Sequence, residues 1–324
     1  MNRDSFSQYQ KISRPSGTIT AILLCLLVTE LPAGQFRKTG TVGYNFLKVP
    51  VTARQMALGE AAGALTNASG IMPLFLNPAV LGFCESKGFG YAYTPWLADI
   101  SHRAAGTYFS LGQYGSGGIS LNYFDYGTIT KTTHGGNLGE YRVIGNYTAQ
   151  SLSLGVTYAR RLTDRFAYGT RLHYVKETID VYSSDNLLLD MGIFYHTGFN
   201  SLRLGGFISN FGVDARFIGD YFKMPTELHL SLAYDLIQNA SHLLTLTTEV
   251  SHPSDNLEQI HTALEYRFAQ HLYLRSGYKF GSDEDNFACG GGLSWQGFLF
   301  DVAFLPFGRF PGVFCFTFQK EFNR

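Results

Sequence analysis

The chain has 324 residues, with 25 basic and 25 acidic side chains, so its formal net charge is zero. This balance excludes the strongly basic surface that a nucleic-acid-binding protein needs. Only 15% of the residues are charged, and the mean hydropathy of −0.02 fits neither a bundle of membrane helices nor a disordered chain. The 36 glycines, 27 phenylalanines and 20 tyrosines favour a membrane β-barrel, which carries aromatic rings at both interfaces. A soluble β-sandwich shares part of this profile.

Residues 1–34 predict a signal peptide. Arg3 and Lys11 give a positively charged start, and an apolar run follows at 18–28. Small residues at 33–34 offer a cleavage site. A run of about 11 apolar residues is too short to cross a bilayer core of about 30 Å, which argues against a membrane anchor. We therefore expect residues 1–34 to be removed on export.

From residue 87 onward, apolar and polar residues alternate, which is the pattern of β-strands with one apolar face. In the segment 226–236, for example, Leu228 and Leu230 fall on one face while Glu227 and His229 fall on the other. The same alternation recurs along the chain and predicts strands at 88–95, 103–111, 117–127, 150–161, 165–178, 187–198, 201–210, 226–236, 242–251, 258–268, 271–281, 286–295, 297–304 and 311–322.

Short and long connections alternate between these predicted strands. Those after even-numbered strands are tight, as at 162–164 and 269–270, whereas those after odd-numbered strands are mostly longer, as at 128–149 and 211–225. Outer-membrane barrels have short periplasmic turns and longer external loops, and an even number of strands leaves both termini on the periplasmic side. A soluble sandwich has no reason to sort its loops in this way. The sequence therefore predicts an all-β fold, a transmembrane antiparallel β-barrel of about 14 strands.

The two faces of the predicted strands differ in charge. The apolar face carries almost no ionised residue, and a charge on the lipid side near the bilayer midplane would cost roughly 2–4 kcal/mol for each Arg or Lys. The charged face must therefore point into the barrel, where acids and bases are nearly balanced and are expected to pair with one another. The predicted lumen charges are Arg171, Asp190, Arg203, Glu227, Glu249, Glu265, Arg267, Arg275, Lys279 and Asp301.

The segment 35–86 lacks sustained alternation and precedes the predicted barrel at 87–324. Residues 52–68 are rich in Ala, Leu, Met and Gln and predict a short helix with Thr52 as its N-cap. The Asn-Pro-Ala sequence at 77–79 predicts a turn. Because the many glycines and alanines suit close packing against a wall, we predict that this segment is a plug inside the barrel. A disordered periplasmic tail is the alternative.

Residues 44–59 read YNFLKVPVTARQMALG, and the Asn-Pro-Ala sequence follows. These motifs resemble the opening of the PorV/PorQ family of FadL-like barrels, and the segments 93–100 (YTPWLADI) and 158–166 (YARRLTDRF) extend the likeness over essentially the whole mature chain. The wording FLKVPVTAR is closer to the PorQ branch than to PorV. Glu60 departs from the family, which usually has a second glycine there. The plug motif residues are Pro50, Ala53, Arg54, Gly59, Asn77, Pro78 and Ala79.

The resemblance implies a fourteen-stranded outer-membrane barrel with an N-terminal plug, associated with the type IX secretion system of Bacteroidetes-like bacteria. Members help to deliver or attach secreted cargo at the cell surface, so the resemblance implies membrane lipids, secretion subunits and cargo proteins as partners. A second hypothesis is a FadL-like transporter of small hydrophobic molecules. A transporter needs an apolar pocket that opens laterally, whereas an accessory barrel need only be plugged. The charged inward faces weigh modestly against a transporter.

Enzymatic and metal-binding functions find little support in the residues. The sequence has no G-x-S-x-G motif and no cysteine or histidine spacing that indicates a metal site, so we predict no catalytic site, cofactor or metal. The loop after the first strand carries Trp96, Leu97 and Asp99 and is the candidate partner loop, although the default role of a tryptophan at a membrane interface is anchoring. The long insertion 128–149 is a second candidate for binding, or an extended hairpin above the membrane.

Overall fold

A computed structural model describes residues 40–66, 70–136, 139–282 and 284–322. The predicted signal peptide at 1–34 lies outside the described residues. None of the helices in the described ranges is long and apolar enough to cross a bilayer.

Fourteen antiparallel strands form a closed barrel in which each strand pairs with its neighbours in the chain and β1 pairs with β16. The prediction of such a barrel is confirmed. Two further short strands, β8 and β9, form a separate hairpin. In chain order the strands are β1 (Lys87–Pro95), β2 (Ser101–Ser110), β3 (Ser116–His134), β4 (Tyr141–Arg161), β5 (Phe166–Ile179), β6 (Tyr182–His196), β7 (Arg203–Phe211), β8 (Ala215–Phe217), β9 (Asp220–Phe222), β10 (Glu227–Gln238), β11 (His242–Pro253), β12 (Gln259–Phe268), β13 (Leu272–Phe280), β14 (Phe287–Trp295), β15 (Phe298–Phe307) and β16 (Phe310–Phe322).

Side chains along each strand alternate between the outer surface and the lumen. In β13, Leu272 and Leu274 are exposed on the outside, while Tyr273 and Arg275 are buried inside. This arrangement leaves apolar side chains for the acyl chains of the bilayer and encloses the ionised ones, as a barrel in lipid requires.

Three predicted loops differ from the structure. Most of 128–149 belongs to β3 and β4, which pair up to His134 and Tyr141. The connection predicted at 179–186 is a short turn between β5 and β6, and 211–225 contains the β8–β9 hairpin. For 128–149 the structure therefore bears out the alternative prediction of an extended hairpin. The three segments were not predicted as strands because both of their faces are largely exposed above the membrane, so no apolar–polar alternation marks them.

The segment before β1 lies inside the barrel and is largely buried. Its α-helix, α1 (Ala53–Ala57), begins at Thr52, whose side chain accepts a hydrogen bond from the Gln55 N–H. The predicted helix over 52–68 is wrong in length, because Gly59 and Glu60 have φ values of 51° and 70° and turn the backbone out of the helix. The rest of the segment includes short 3₁₀ turns at Asn45–Lys48, Met72–Leu74 and Pro78–Phe83.

Wall glycines allow the plug to approach the barrel closely. A Cβ at Gly277 would overlap the backbone of Leu58, and a Cβ at Gly169 would overlap the backbone of Pro78. The close approach brings plug and wall side chains within hydrogen-bonding distance at several heights of the lumen.

Candidate functional site

A buried cluster of four charges holds α1 against the wall. The Arg54 guanidinium donates to both carboxylate oxygens of Glu265, at 2.8 and 2.7 Å. Arg275 donates to Glu265 at 2.7 Å and to Asp301 at 2.6 Å. All four side chains are at most 4% exposed. Two guanidiniums and two carboxylates leave the cluster neutral, with the charge-assisted hydrogen bonds that burial of these groups requires.

A second cluster joins the plug to an external loop. The Lys279 ammonium, at the end of β13, donates to Glu60 of the plug and, at 2.7 Å, to Asp285 of the loop before β14. Burial alone would raise the pKa of the Asp285 carboxyl, but the adjacent Lys279 charge holds that pKa below its usual value. Glu60, the one departure from the family motif, therefore gives the plug a charge that pairs with the wall.

Polar side chains of the wall also satisfy the backbone of the plug. Such bonds include those of Thr317 to the N–H of Ala53, Gln319 to the N–H of Ile71, Glu249 to the N–H of Gly63 and His261 to the carbonyl of Gly59. Within the plug, Asn77 donates to the Gly63 carbonyl at 2.9 Å and accepts from the Ala79 N–H at 3.1 Å. Asn77 therefore connects Gly63 to the start of the 3₁₀ turn at Pro78–Phe83.

The remaining predicted lumen charges lie inside the barrel, most of them with partners. Arg171 bonds to Asp190 at 3.2 Å, and His229 bonds to Glu249 at 2.9 Å. Glu227 and Arg267 are only half-buried. The structure adds one residue that the predicted set omitted, Asp235, which accepts from Arg203 at 2.5 Å. Asp235 stands close to the periplasmic end of the alternating segment 226–236, so sequence spacing could have found it.

Aromatic residues of the plug close the mouth at which β1, β3 and β5 end, which is the external mouth. The Tyr44 hydroxyl bonds to Ser184 at 2.9 Å, and its ring contacts Phe222 edge to face at 5.3 Å. Val42 bridges to Lys223 beside the β8–β9 hairpin. Burial raises the pKa of Tyr44 to about 12, so this hydroxyl stays neutral. The described part of the plug, from residue 40, therefore begins near the external mouth, so the even strand count fixes the side on which the barrel itself starts and ends and not the position of this segment.

The candidate partner loop covers the same mouth. Trp96 packs edge to face on Phe307 at 5.6 Å, and Leu97 packs against the same buried cluster of the lumen. Ala98 and Asp99 are exposed and have φ values of 55° and 62°. The half-buried Trp96 therefore helps to close the mouth. Only the tip of this loop, at Ala98 and Asp99, is accessible to a partner.

A small polar cavity remains between plug and wall. The space open to the centres of water molecules is about 50 Å³, which is enough for a few waters. Its lining contains as many apolar side chains, among them Leu76 and Phe207, as charged ones, among them Lys48, Glu60 and Arg171. A cavity of this size and polarity suits ordered water.

The comparisons with known proteins agree with this architecture. A family model described as type IX secretion system protein PorV matches residues 33–254. The P. putida toluene transporter TodX aligns with a TM-score of 0.57 at 12% identity, over 83% of this chain and 98% of its own. A Pseudomonas aeruginosa FadL homologue aligns with a TM-score of 0.52 at 10% identity, over 85% of this chain and 98% of its own. At these identities the two structures establish a shared fold. No curated protein matches the chain.

Proposed function

We propose that this chain, which belongs to the PorV family of type IX secretion system proteins, is a non-enzymatic outer-membrane barrel that assists the export of cargo and its delivery or attachment at the cell surface. The observation that carries the proposal is the plug, which buried ion pairs and wall-to-backbone hydrogen bonds hold across the lumen. Because the lumen of such a barrel is filled, its external surface is the part that can bind other molecules. Protein partners are the molecules that we propose to bind there.

Two finer points belong to the proposal. The segment FLKVPVTAR, at 46–54, resembles the PorQ branch, so this chain is proposed to be closer to PorQ than to PorV. Residues 1–34 act as a signal peptide, which directs export of the chain and is then removed. Its partners are secretion subunits or cargo proteins, beside the lipids of the outer membrane.

The experiment that tests the proposal is a deletion strain together with affinity capture. The deletion should reduce the amount of type IX cargo on the cell surface, and expression of the wild-type chain should restore it. The tagged chain, solubilised from outer membranes, should bring with it known secretion subunits or cargo. Normal secretion in the deletion strain would refute the proposal.

A FadL-like transporter is the second candidate, because the fold is shared with a toluene transporter. The discriminating feature is the interior. A conduit for hydrophobic molecules needs an apolar path, whereas the cavity here is lined by residues such as Lys48, Glu60 and Arg171. Loss of hydrocarbon or fatty-acid uptake in the deletion strain, with secretion intact, would favour the transporter.

The absence of enzymatic activity is part of the proposal and is supported by the burial of the lumen histidines, of which His173, His229 and His261 are at most 8% exposed. His229 and His261 are engaged by Glu249 and the Gly59 carbonyl, and His173 bonds to Ser153. These contacts fix the wall and the plug.

A further inference from the structure

β3 and β4 rise beyond their neighbours in the wall. The pairing of β2 with β3 ends at Ser101 opposite Asp125, whereas β3 continues to His134 and pairs there with Tyr141 of β4. On the other side, the pairing of β4 with β5 ends at Ala149 opposite Ile179. The residues beyond these limits form a two-stranded hairpin, called here the external hairpin (126–134 and 141–148). At about 3.4 Å per residue, its arm in β3 extends about 30 Å.

The external hairpin has little support of its own. Most of its residues are exposed on both faces, including Tyr141 at 73%, Val143 at 56% and Ile144 at 55%. An isolated two-stranded hairpin is marginally stable in water, and three strands or a packed face are needed for independent stability. A third strand would give the external hairpin the support that two strands lack and would cover part of these apolar side chains.

The two edges of the hairpin differ. The edge of β4 is partly occupied, because the Thr148 carbonyl accepts a hydrogen bond from the Asp180 N–H. Lys131 of β3, which lies opposite Gly145 of β4, also reaches across β4 to the Asp180 carboxylate. Gly145 has no side chain to obstruct it. The edge of β4 toward β5 is thereby shielded at its base.

The edge of β3 is open. Within the part of the chain that the structure describes, no strand pairs with 128–134 on the side away from β4. This stretch reads TITKTTH, so five of its seven residues are β-branched and none is proline. Proline, lysine and β-bulges are means by which proteins block an exposed edge, and β-branched residues favour strands. The register shift between Lys131 and Thr132 adds its extra residue, Ile144, to β4 and not to β3. The Lys131 ammonium is paired with Asp180 on the β4 side. An open edge of this composition has the hydrogen-bonding groups to pair with a further strand.

We propose that the open edge of β3, from Thr128 to His134, binds an extended segment of a protein partner as a third strand of the external hairpin. The main-chain N–H and C=O groups of the edge supply the hydrogen bonds, as in other cases of β-strand addition. The exposed apolar side chains of β4 lie on the same two-stranded sheet and gain cover from the partner. The inference rests on the proposed function, since it names the surface and the binding mode by which a secretion subunit or cargo protein is held.

Site-specific photo-cross-linking in whole cells tests the third strand directly. A benzophenone amino acid is placed at Thr128 or Thr130, which share one face of β3 between its two register shifts. The matched controls carry it at Thr148 or Asn146, their pairing partners on β4. Because same-face neighbours in a sheet advance two residues at a time, the cross-links from the two β3 positions should fall two residues apart in one segment of one partner protein. Cross-links scattered over a partner's surface, or such a ladder from β4 instead, would overturn the proposal.

A shortened hairpin tests its consequence for secretion. Thr128 and Thr148 are paired, so a two-residue Asn-Gly turn can join them in place of 129–147. In the deletion strain this variant should lower surface cargo by at least about tenfold relative to the wild-type chain, because the main-chain hydrogen bonds of the edge are lost. Full restoration by the shortened variant would refute the third strand and leave the proposed function standing. If the deletion itself leaves secretion normal, the proposed function fails, and the cross-link ladder decides the third strand alone.

Discussion

Replacement of Arg54 by Met should release the plug from the wall. The wild-type cluster is neutral, whereas Arg54→Met leaves Glu265 and Asp301 with Arg275 as their single cation, at a site where these side chains are at most 3% exposed. Removal of one partner from a buried ion pair costs about 3–5 kcal/mol, because an uncompensated charge remains. The double variant Arg54→Met with Glu265→Gln keeps the pair of Arg275 and Asp301 and restores neutrality. Its cost should be within about 1 kcal/mol of the wild type.

The assay is maleimide labelling of Ala62→Cys, a plug position with 0% exposure, in a variant without the native cysteines. A loss of about 3–5 kcal/mol raises the population of released plug, and so the labelling rate, by roughly two to three and a half orders of magnitude. The double variant should label close to the wild-type rate. Lys131→Met breaks an exposed ion pair of the external hairpin and should leave the rate unchanged. Slow labelling of the single variant, or labelling of the double variant as fast as that of the single one, would refute the reasoning.

Three further predictions concern the plug and its surroundings. Gly277→Ala should loosen the plug by about 1–3 kcal/mol in the same labelling assay, because the added Cβ overlaps plug backbone; Gly291→Ala, whose nearest contact would lie at 3.4 Å, is the control and should have little effect. Ala98→Gly should stabilise the folded barrel by up to about 1 kcal/mol, because its φ of 55° suits glycine, and a lower guanidinium midpoint would contradict this. The folded pKa of Asp285 lies below its ordinary value of 3.8, so the stability it gives is complete above that value and is lost as the pH falls through the folded pKa. Asp285→Asn should therefore weaken the fall of the guanidinium midpoint on acidification, and an unchanged pH profile would count against the ion pair with Lys279.

The barrel could be predicted from sequence because its wall separates two solvents. Residues that face lipid must be apolar and residues that face the lumen need not be, so the alternation in a segment such as 226–236 marks a strand and assigns its faces. The same reasoning fails above the membrane, where both faces meet water. The upper parts of β3 and β4 therefore read as a loop, although Thr128–His134 has the β-branched composition of a strand.

The plug contacts could be predicted only in part. Arg54 belonged to a recognised motif and Glu265 to the predicted lumen charges, but no spacing joins two residues that are 211 positions apart. Their pairing depends on how the plug turns inside the barrel. The path of the plug depends on left-handed backbone at Gly59 and Glu60. A glycine suggests such a conformation in the sequence, whereas a glutamate does not.

The charges of the plug bear on whether the plug moves to open the lumen or stays fixed inside it. Lys48, Arg54 and Glu60 each pair with an opposite charge of the wall or of its external loops, at three separate places. A plug that moved as a unit would break all three pairs together and would leave buried wall charges, such as Glu265 at 3% exposure, without their partners in the plug. Contact with an apolar ligand offers no charge to replace them. A protein that binds at the external hairpin would disturb none of these pairs, so the proposed partner-binding role does not require the plug to move.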